Sequence, residues 1–88
     1  MKENIYKNWK NDIKVSQLRI DKDSEFEFYT PIRHNNRFIS YHVVIERRGY
    51  KYYIWAKAFG NALPTLYCPI TKNYTYNEFK QDMLERDF

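Results

Sequence analysis

The chain has one cysteine, Cys68, two glycines, three prolines and no long hydrophobic run among its 88 residues. A single cysteine excludes an internal disulfide and a metal site built from several cysteines, and it fits a reducing compartment. The longest purely aliphatic run, residues 43–45, is far shorter than the roughly 20 residues of a membrane span. The polar N-terminus is not typical of a secretory signal. We therefore expect a cytoplasmic protein with no membrane partner.

Residues and motifs suited to catalysis are also scarce. The two histidines are His34, in a predicted loop, and His42, in a predicted strand. No glycine-rich phosphate loop, paired-carboxylate helix motif or nucleophile elbow is present. Two histidines without a cysteine pair or a spaced acidic cluster do not form a zinc site. The sequence therefore predicts a protein that is not an enzyme and has no catalytic residues, metal site or cofactor.

Residues with A/T-rich codons are abundant. Lys, Asn, Ile, Tyr and Phe supply 40 of the 88 residues, whereas Gly, Ala and Pro supply eight. This bias indicates an AT-rich gene, and short AT-rich genes are frequent in bacterial viruses and mobile elements.

The length and the periodicity predict a single α+β domain over residues 1–88. Ile5, Trp9 and Ile13 recur every four residues and predict a short N-terminal helix over residues 3–14. A strand is expected over residues 15–20, and residues 24–30 alternate as a half-buried strand does. Residues 63–70, with a proline near each end, suit an edge strand.

The C-terminus predicts a helix that starts at a capping box, Thr75 to Glu78. Its apolar stripe holds Tyr76, Phe79 and Met83, followed by Asp87 or Phe88, and should cover the sheet face that carries Ala56 and Ala58. The expected fold is a small antiparallel sheet of about four to five strands with this helix and the short N-terminal one.

Residues 37–59 predict a β-hairpin around Arg48 and Gly49. With these two as the loop, Val43 faces Ile54 on the apolar side and His42 faces Trp55 on the other. Residues 31–60 carry six basic residues and one acidic residue, for a local charge of +5, whereas the net charge of the whole chain is +4. The predicted binding residues, for protein or nucleic acid, are Arg37, Arg47, Arg48, Tyr50, Lys51, Tyr53, Trp55 and Lys57.

Three functional hypotheses follow. Nine Tyr, two Trp and six Arg favour protein contacts, because Tyr, Trp and Arg are enriched at interface hot spots. The leading hypothesis is a small non-catalytic accessory or inhibitory protein of a phage or mobile element in an AT-rich bacterium. It would bind a larger host- or element-encoded protein, such as a nucleic-acid enzyme, for example in anti-defence.

The first alternative is a single-stranded nucleic-acid-binding module, because Tyr53 and Trp55 alternate with Lys51 and Lys57 on one hairpin face. The competing structural interpretation buries Tyr53 and Trp55 under the N-terminal helix. The second alternative is a ribonuclease toxin of the RelE-like kind, which would use Arg37, His42, Tyr53 and Lys57, although no matching sequence pattern is present.

Overall fold

The computed structural model describes residues 9–60 and 65–85. In this part of the chain, one turn of 3₁₀ helix (Val15–Leu18) precedes β1 (Glu25–His34), β2 (Arg37–Arg48), β3 (Lys51–Ala58) and β4 (Leu66–Ile70), and α1 (Tyr76–Glu85) follows. The strands form one antiparallel sheet in the order β1-β2-β3-β4. The predicted α+β class, the edge strand and the C-terminal helix are confirmed.

Alternation of apolar and polar residues determines which face of the sheet is buried. Phe26 and Phe28 of β1, Val43 and Ile45 of β2 and Ile54 of β3 all point to one face and are nearly inaccessible to solvent. Ala56 and Ala58 lie on the same face, where their small side chains belong to one core cluster with Phe79 and Met83 of α1. The helix α1 therefore covers the sheet face that carries Ala56 and Ala58, as predicted.

The β2–β3 register differs by two residues from the prediction. Val43 pairs with Ala56 and Ile45 with Ile54, so the loop residues are Gly49 and Tyr50. Gly49 has φ of 64°, and two-residue hairpin turns require a positive φ at their first position. A loop that began at Arg48 would impose this conformation on a non-glycine residue. Because the register is shifted by two residues, an even number, every side chain stays on its predicted face of the sheet.

The N-terminal predictions need two corrections. Residues 3–8 of the predicted helix lie outside the described residues, and residues 9–14 are not helical: they contain a turn, then an isolated bridge from Lys14 to Thr75. The predicted strand over residues 15–20 is the 3₁₀ turn instead. Val15 and Leu18 are both fully buried, and an i, i+3 pair shares one side of a 3₁₀ turn but opposite faces of a strand.

Trp9 joins this segment to the sheet and the helix. Its ring lies 6.3 Å from that of Phe28 in β1 and 5.7 Å from that of Phe79 in α1, between ring centroids. The indole N–H donates to the carbonyl of Ile13 at 2.6 Å, so the one polar atom of the buried ring is satisfied. The segment before β1 and the helix therefore pack on the same face of the sheet.

The predicted capping box is present at the start of α1. The Glu78 backbone N–H donates to Thr75 Oγ1 at 3.2 Å, and the Thr75 N–H donates to Glu78 Oε1 at 3.1 Å. No helix within residues 9–60 and 65–85 has the length and apolar character needed to cross a membrane.

A proline lies on each free edge of the sheet. The Arg47 N–H donates to the Ser24 carbonyl. Because hydrogen-bonded pairs alternate along an antiparallel ladder, the even-numbered residues of β1 bond to β2, and the odd-numbered residues point their backbone groups to the outer edge of the sheet. Pro31 is one of them. The bond from the Phe59 N–H to the Ser40 carbonyl shows that the odd-numbered residues of β3 bond to β2. The even-numbered residues of β3 therefore bond to β4, and the β3–β4 register leaves the backbone of Pro69 facing the other outer edge. Neither edge is thus a continuous row of donors.

Ile54 provides the test of the core. The side chain is fully buried at the centre of β3, so Ile54→Ala should lower the free energy of unfolding by about 2–5 kcal/mol, measured by urea denaturation. Lys57→Ala, on the exposed side of the same strand, should change it by no more than about 0.5 kcal/mol. Similar losses for the two variants would contradict the assigned faces.

Gly49 provides the test of the turn. A Cβ added there meets no heavy atom within 4 Å, so any cost of Gly49→Ala comes from the positive φ alone. We expect a loss of about 1–3 kcal/mol in unfolding free energy. Tyr50→Ala, at the next loop position, should stay within about 0.5 kcal/mol. If Gly49→Ala were neutral, the loop would have to begin at another residue.

Candidate functional site

The sheet face turned away from Trp9 and α1 carries a group of aromatic side chains. By strand register, the rings of the described residues that share this side are Tyr29, Phe38, His42, Tyr53, Trp55, Phe59 and Tyr67. We call this surface the aromatic face. Phe38 is 70% exposed, Tyr29 and Tyr67 are each 56% exposed and Phe59 is 53% exposed, whereas the other three rings are half-buried. So much exposed aromatic area on one face is typical of an interaction surface.

The rings hold one another in place. His42 stacks on Tyr29 with 4.7 Å between centroids, and Tyr29 stacks on Phe59 at 5.5 Å. The Trp55 ring meets His42 edge-on at 5.0 Å. The predicted contact between His42 and Trp55 is therefore present, although the residue opposite His42 is Lys57.

A second stack lies beside the first. The rings of Tyr53 and Tyr67 are parallel to within 10°, with centroids 6.0 Å apart. Trp55 and Tyr67 are cross-strand neighbours, so the two stacks form one continuous surface from β1 to β4. Mutual stacking limits ring rotation and makes the surface pre-organised for contact.

Acidic side chains are built into this surface. Glu27 Oε2 lies 2.5 Å from His42 Nε2, and Glu46 Oε1 accepts a hydrogen bond from the Tyr67 hydroxyl at 3.1 Å. The pKa of Tyr67 is raised above its ordinary value, first by desolvation and then by the bond to Glu46, which stabilises the neutral phenol. Tyr67 therefore remains a hydrogen-bond donor to Glu46 at neutral pH.

The charges are divided across the face. Glu27 and Glu46 belong to β1 and β2, whereas the exposed Lys51 and Lys57 belong to β3. Arg48, at the end of β2, lies 3.7 Å from Glu46. Arg33 of β1 lies on this side as well, so β1 and β2 carry charges of both signs, whereas β3 carries only basic ones.

Five of the eight predicted binding residues share the aromatic face. Lys51, Tyr53, Trp55 and Lys57 alternate along β3, and Arg48 lies at the end of the neighbouring strand. Arg37 lies at the other end of β2, 11 positions from Arg48, which is about 36 Å at the usual rise of a strand. These two arginines cannot serve one small site.

Tyr50 and Arg47 lie apart from the others. The Tyr50 ring is 83% exposed in the turn, and the Lys22 ammonium lies 4.8 Å from its centroid. Arg47 points to the core side of the sheet, where Nη1 donates to the carbonyl of Ile20 at 2.8 Å and Nε donates to that of Gly49 at 2.9 Å. Arg47 stabilises the fold by joining the β2–β3 turn to the segment before β1.

The described part of the N-terminal segment does not cover Tyr53 and Trp55. Trp9 is buried in the core, and Ile13 packs against the same core, which lies on the opposite side of the sheet. The interpretation in which Trp9 and Ile13 bury these two rings is therefore wrong. Ile5, the other residue of the predicted stripe, lies outside the described residues.

The residues of the ribonuclease alternative are only partly brought together. His42 and Lys57 are cross-strand partners, and His42 contacts Glu27. Arg37 has the opposite side-chain direction on β2, five residues from His42, or about 16 Å along the strand. Among residues 9–60 and 65–85, no group of three His, Cys, Asp or Glu side chains could hold a metal ion. Cys68 is half-buried and packs against the core.

The predicted binding set does not include five rings of the aromatic face, Tyr29, Phe38, His42, Phe59 and Tyr67. A signal for Tyr29 exists, because the alternation of β1 places it on the side of Glu25 and Glu27, away from Phe26 and Phe28. To predict that Tyr29 lies beside the β2–β3 hairpin, the order of the strands in the sheet must be known, and alternation in the sequence does not give that order. Tyr67 likewise joins the surface only through the β3–β4 register.

Comparison with protein-family models, with curated proteins and with solved structures finds no match to this chain.

The structural role of Arg47 can be separated from the surface position of Arg48. Arg47→Met keeps the aliphatic stem but removes both bonds to backbone carbonyls, and we expect a loss of about 1.5–3 kcal/mol in unfolding free energy. Arg48→Met removes one exposed ion pair and should cost less than about 1 kcal/mol. Urea denaturation of both variants measures the difference. Equal losses would contradict the assignment.

Proposed function

We propose that this chain is a non-catalytic binding protein that docks its aromatic face onto a larger protein. The observation that carries the proposal is the surface of stacked rings on the side of the sheet that the described residues leave uncovered, where four rings are more than half exposed. In the cell, the chain acts in the cytoplasm as an accessory or inhibitory protein of a phage or mobile element. The composition supports this origin, and a host defence or nucleic-acid enzyme is the kind of partner proposed.

The physical basis of binding is pre-organised aromatic area. Tyr and Trp provide large contact areas, and truncating such residues at the centre of interfaces often costs at least about 2 kcal/mol. The stacks around Tyr29 and Tyr53 hold the rings in position before any partner arrives. Less conformational entropy is then lost on binding.

The charge pattern favours a protein over a nucleic acid. Glu27 lies in contact with His42, and Glu46 is bonded to Tyr67, so carboxylates lie where phosphates would have to approach stacked bases. A nucleic-acid platform needs cations beside its rings. A protein surface can present both signs of charge and complement the mixed charges of the face.

Docking through the face is also favoured over addition of a strand to the sheet. Strand addition requires a row of free backbone donors and acceptors on an edge. Pro31 and Pro69 remove a donor from each outer edge. The partner is therefore expected to contact side chains rather than extend the sheet.

Single-stranded nucleic-acid binding is the second candidate function. It is favoured by Lys51 and Lys57, which are exposed and flank the half-buried rings of Tyr53 and Trp55 on β3. The two candidates differ in their expected dependence on salt, because binding driven by phosphates weakens steeply as salt rises.

The test compares two exposed tyrosines on the aromatic face with one outside it. Tagged wild-type protein, Tyr29→Ser/Tyr67→Ser and Tyr50→Ser are used to capture host proteins, and a captured protein is purified so that Kd is measured for each form. Loss of the two face rings should weaken binding by about 2 kcal/mol or more, about 30-fold. Tyr50→Ser removes a tyrosine that is even more exposed and should leave the Kd unchanged.

Two outcomes would overturn the proposal. Salt-sensitive binding of single-stranded oligonucleotides that is lost in Lys51→Glu/Lys57→Glu would support the nucleic-acid candidate. RNA cleavage by wild-type protein that is abolished by His42→Ala would support the ribonuclease alternative.

A further inference from the structure

We propose that the protein partner presents an acidic surface to β3, with carboxylates that bind Lys51 and Lys57. This inference rests on the proposed function, because it gives the chemistry of the partner for the same aromatic face. The observation that carries it is a difference between the charged side chains of the face. Those in the middle that are acidic already have partners within the chain, whereas the two lysines of β3 have none among the described residues.

The carboxylates in the middle of the face are engaged. Glu27 Oε2 lies 2.5 Å from His42 Nε2, and Glu46 accepts a hydrogen bond from Tyr67 and lies 3.7 Å from Arg48. The Glu46 side chain is also only 19% exposed. A basic partner would have to break these contacts before it could pair with either carboxylate, and the groups left behind would lose their hydrogen bonds.

The two lysines of β3 are in the opposite situation. Both side chains are exposed, and within residues 9–60 and 65–85 neither has a hydrogen bond or an ion pair with another side chain. The residues directly across from Lys57 and Lys51 on β2 are His42 and Arg48, and β4 carries no charged residue. The two ammonium groups can therefore bind carboxylates of a partner without any rearrangement of this chain.

The other charges of the face lie farther from β3. Glu25 begins β1, which is separated from β3 by β2 and lies about 10 Å from it. Arg33, also on β1, donates from Nε to the carbonyl of Asn35 in the β1–β2 turn. The net charge of the whole chain is +4, which adds a long-range attraction to an acidic surface. The charge available to a partner at β3 is therefore positive.

The spacing of the lysines describes the partner further. Lys51 and Lys57 lie six positions apart on β3, which is about 20 Å at the usual rise of a strand. The half-buried rings of Tyr53 and Trp55 lie between them. One small anion cannot reach both ammonium groups. An acidic protein surface with apolar side chains between its carboxylates can reach both and cover the rings.

The packing of these two rings favours the carboxylates of a protein over the phosphates of a nucleic acid. The Tyr53 ring is stacked with Tyr67, parallel to within 10°, and the Trp55 ring meets His42 edge-on. Bases of a single strand stack on open aromatic faces. Half-buried rings that already pack against their neighbours offer little of that area between the lysines.

The test measures Kd for the partner protein that the wild-type chain captures, after that protein is purified. Lys51→Glu/Lys57→Glu reverses both free charges and should raise the Kd at least about tenfold at low ionic strength, mainly through slower association. The difference from the wild type should shrink as salt is added, because salt screens exposed charges.

Lys10→Glu/Lys72→Glu is the matched control, since it makes the same change in net charge on two exposed lysines. Lys10 adjoins the buried Trp9, and the Lys72 carbonyl accepts a hydrogen bond from the Ser16 N–H, so both belong to segments away from the aromatic face. The control Kd should remain close to that of the wild type. Far-UV circular dichroism and urea denaturation establish that both double variants are folded.

Carbodiimide crosslinking of the complex identifies the groups in contact. The reagent joins an amine to a carboxylate that lies beside it, so Lys51 or Lys57 should become linked to Asp or Glu of the partner, as read by mass spectrometry. Crosslinks from Glu27 or Glu46 to lysines of the partner, with none from Lys51 or Lys57, would mean that the partner is basic and would overturn the inference.

The remaining outcomes separate this inference from the proposed function. If Lys51→Glu/Lys57→Glu binds as tightly as the wild type but Tyr29→Ser/Tyr67→Ser does not, the proposed function stands and the acidic partner is excluded. If Tyr29→Ser/Tyr67→Ser keeps full affinity, or the wild type captures no protein, the proposed function fails and this inference fails with it. Binding of oligothymidylate that is lost in the β3 lysine variant would assign the lysines to phosphates and overturn the inference.

Discussion

Burial of the Trp9 indole is the contact on which the rest of the structure depends. The ring touches Phe28 of β1 and both Tyr76 and Phe79 of α1, so the sheet, the helix and the segment before the sheet meet at one side chain. All three contacts lie on the same side of the sheet. In the described part of the chain, the elements that cover the sheet therefore gather on one face, and the aromatic rings of the other face remain accessible.

The position of the core on one face of the sheet links the stability of the domain to its proposed function. A small domain buries a limited fraction of its surface, and its core must be placed where the apolar residues are densest. The core side holds aliphatic residues such as Val43, Ile45 and Ile54, which pack without polar atoms. Most rings of the aromatic face instead carry a hydroxyl, imidazole or indole group, and those of His42 and Tyr67 bond to Glu27 and Glu46. The two faces therefore differ in chemistry as well as in exposure.

Periodicity in the sequence predicts most of the sheet and helix, because side-chain direction follows directly from alternation in Phe26 and Phe28 and from the spacing of Tyr76, Phe79 and Met83. Periodicity cannot distinguish two registers that differ by two residues. The positive φ of Gly49 selects the observed β2–β3 register. The spacing of Trp9 and Ile13 predicted a helix wrongly, since the partners of Trp9 come from distant elements. The site was found only in part, because Tyr29 and Tyr67 join it through tertiary neighbours.

The prolines on the two free edges have a consequence for assembly. Aromatic residues make up 19% of this chain, and exposed strands of such composition are prone to stack sideways into fibrils of unlimited length. Pro31 and Pro69 interrupt that growth on both sides of the sheet. Lateral addition of further strands is thereby opposed at both edges of the sheet, which protects this chain from open-ended fibril growth.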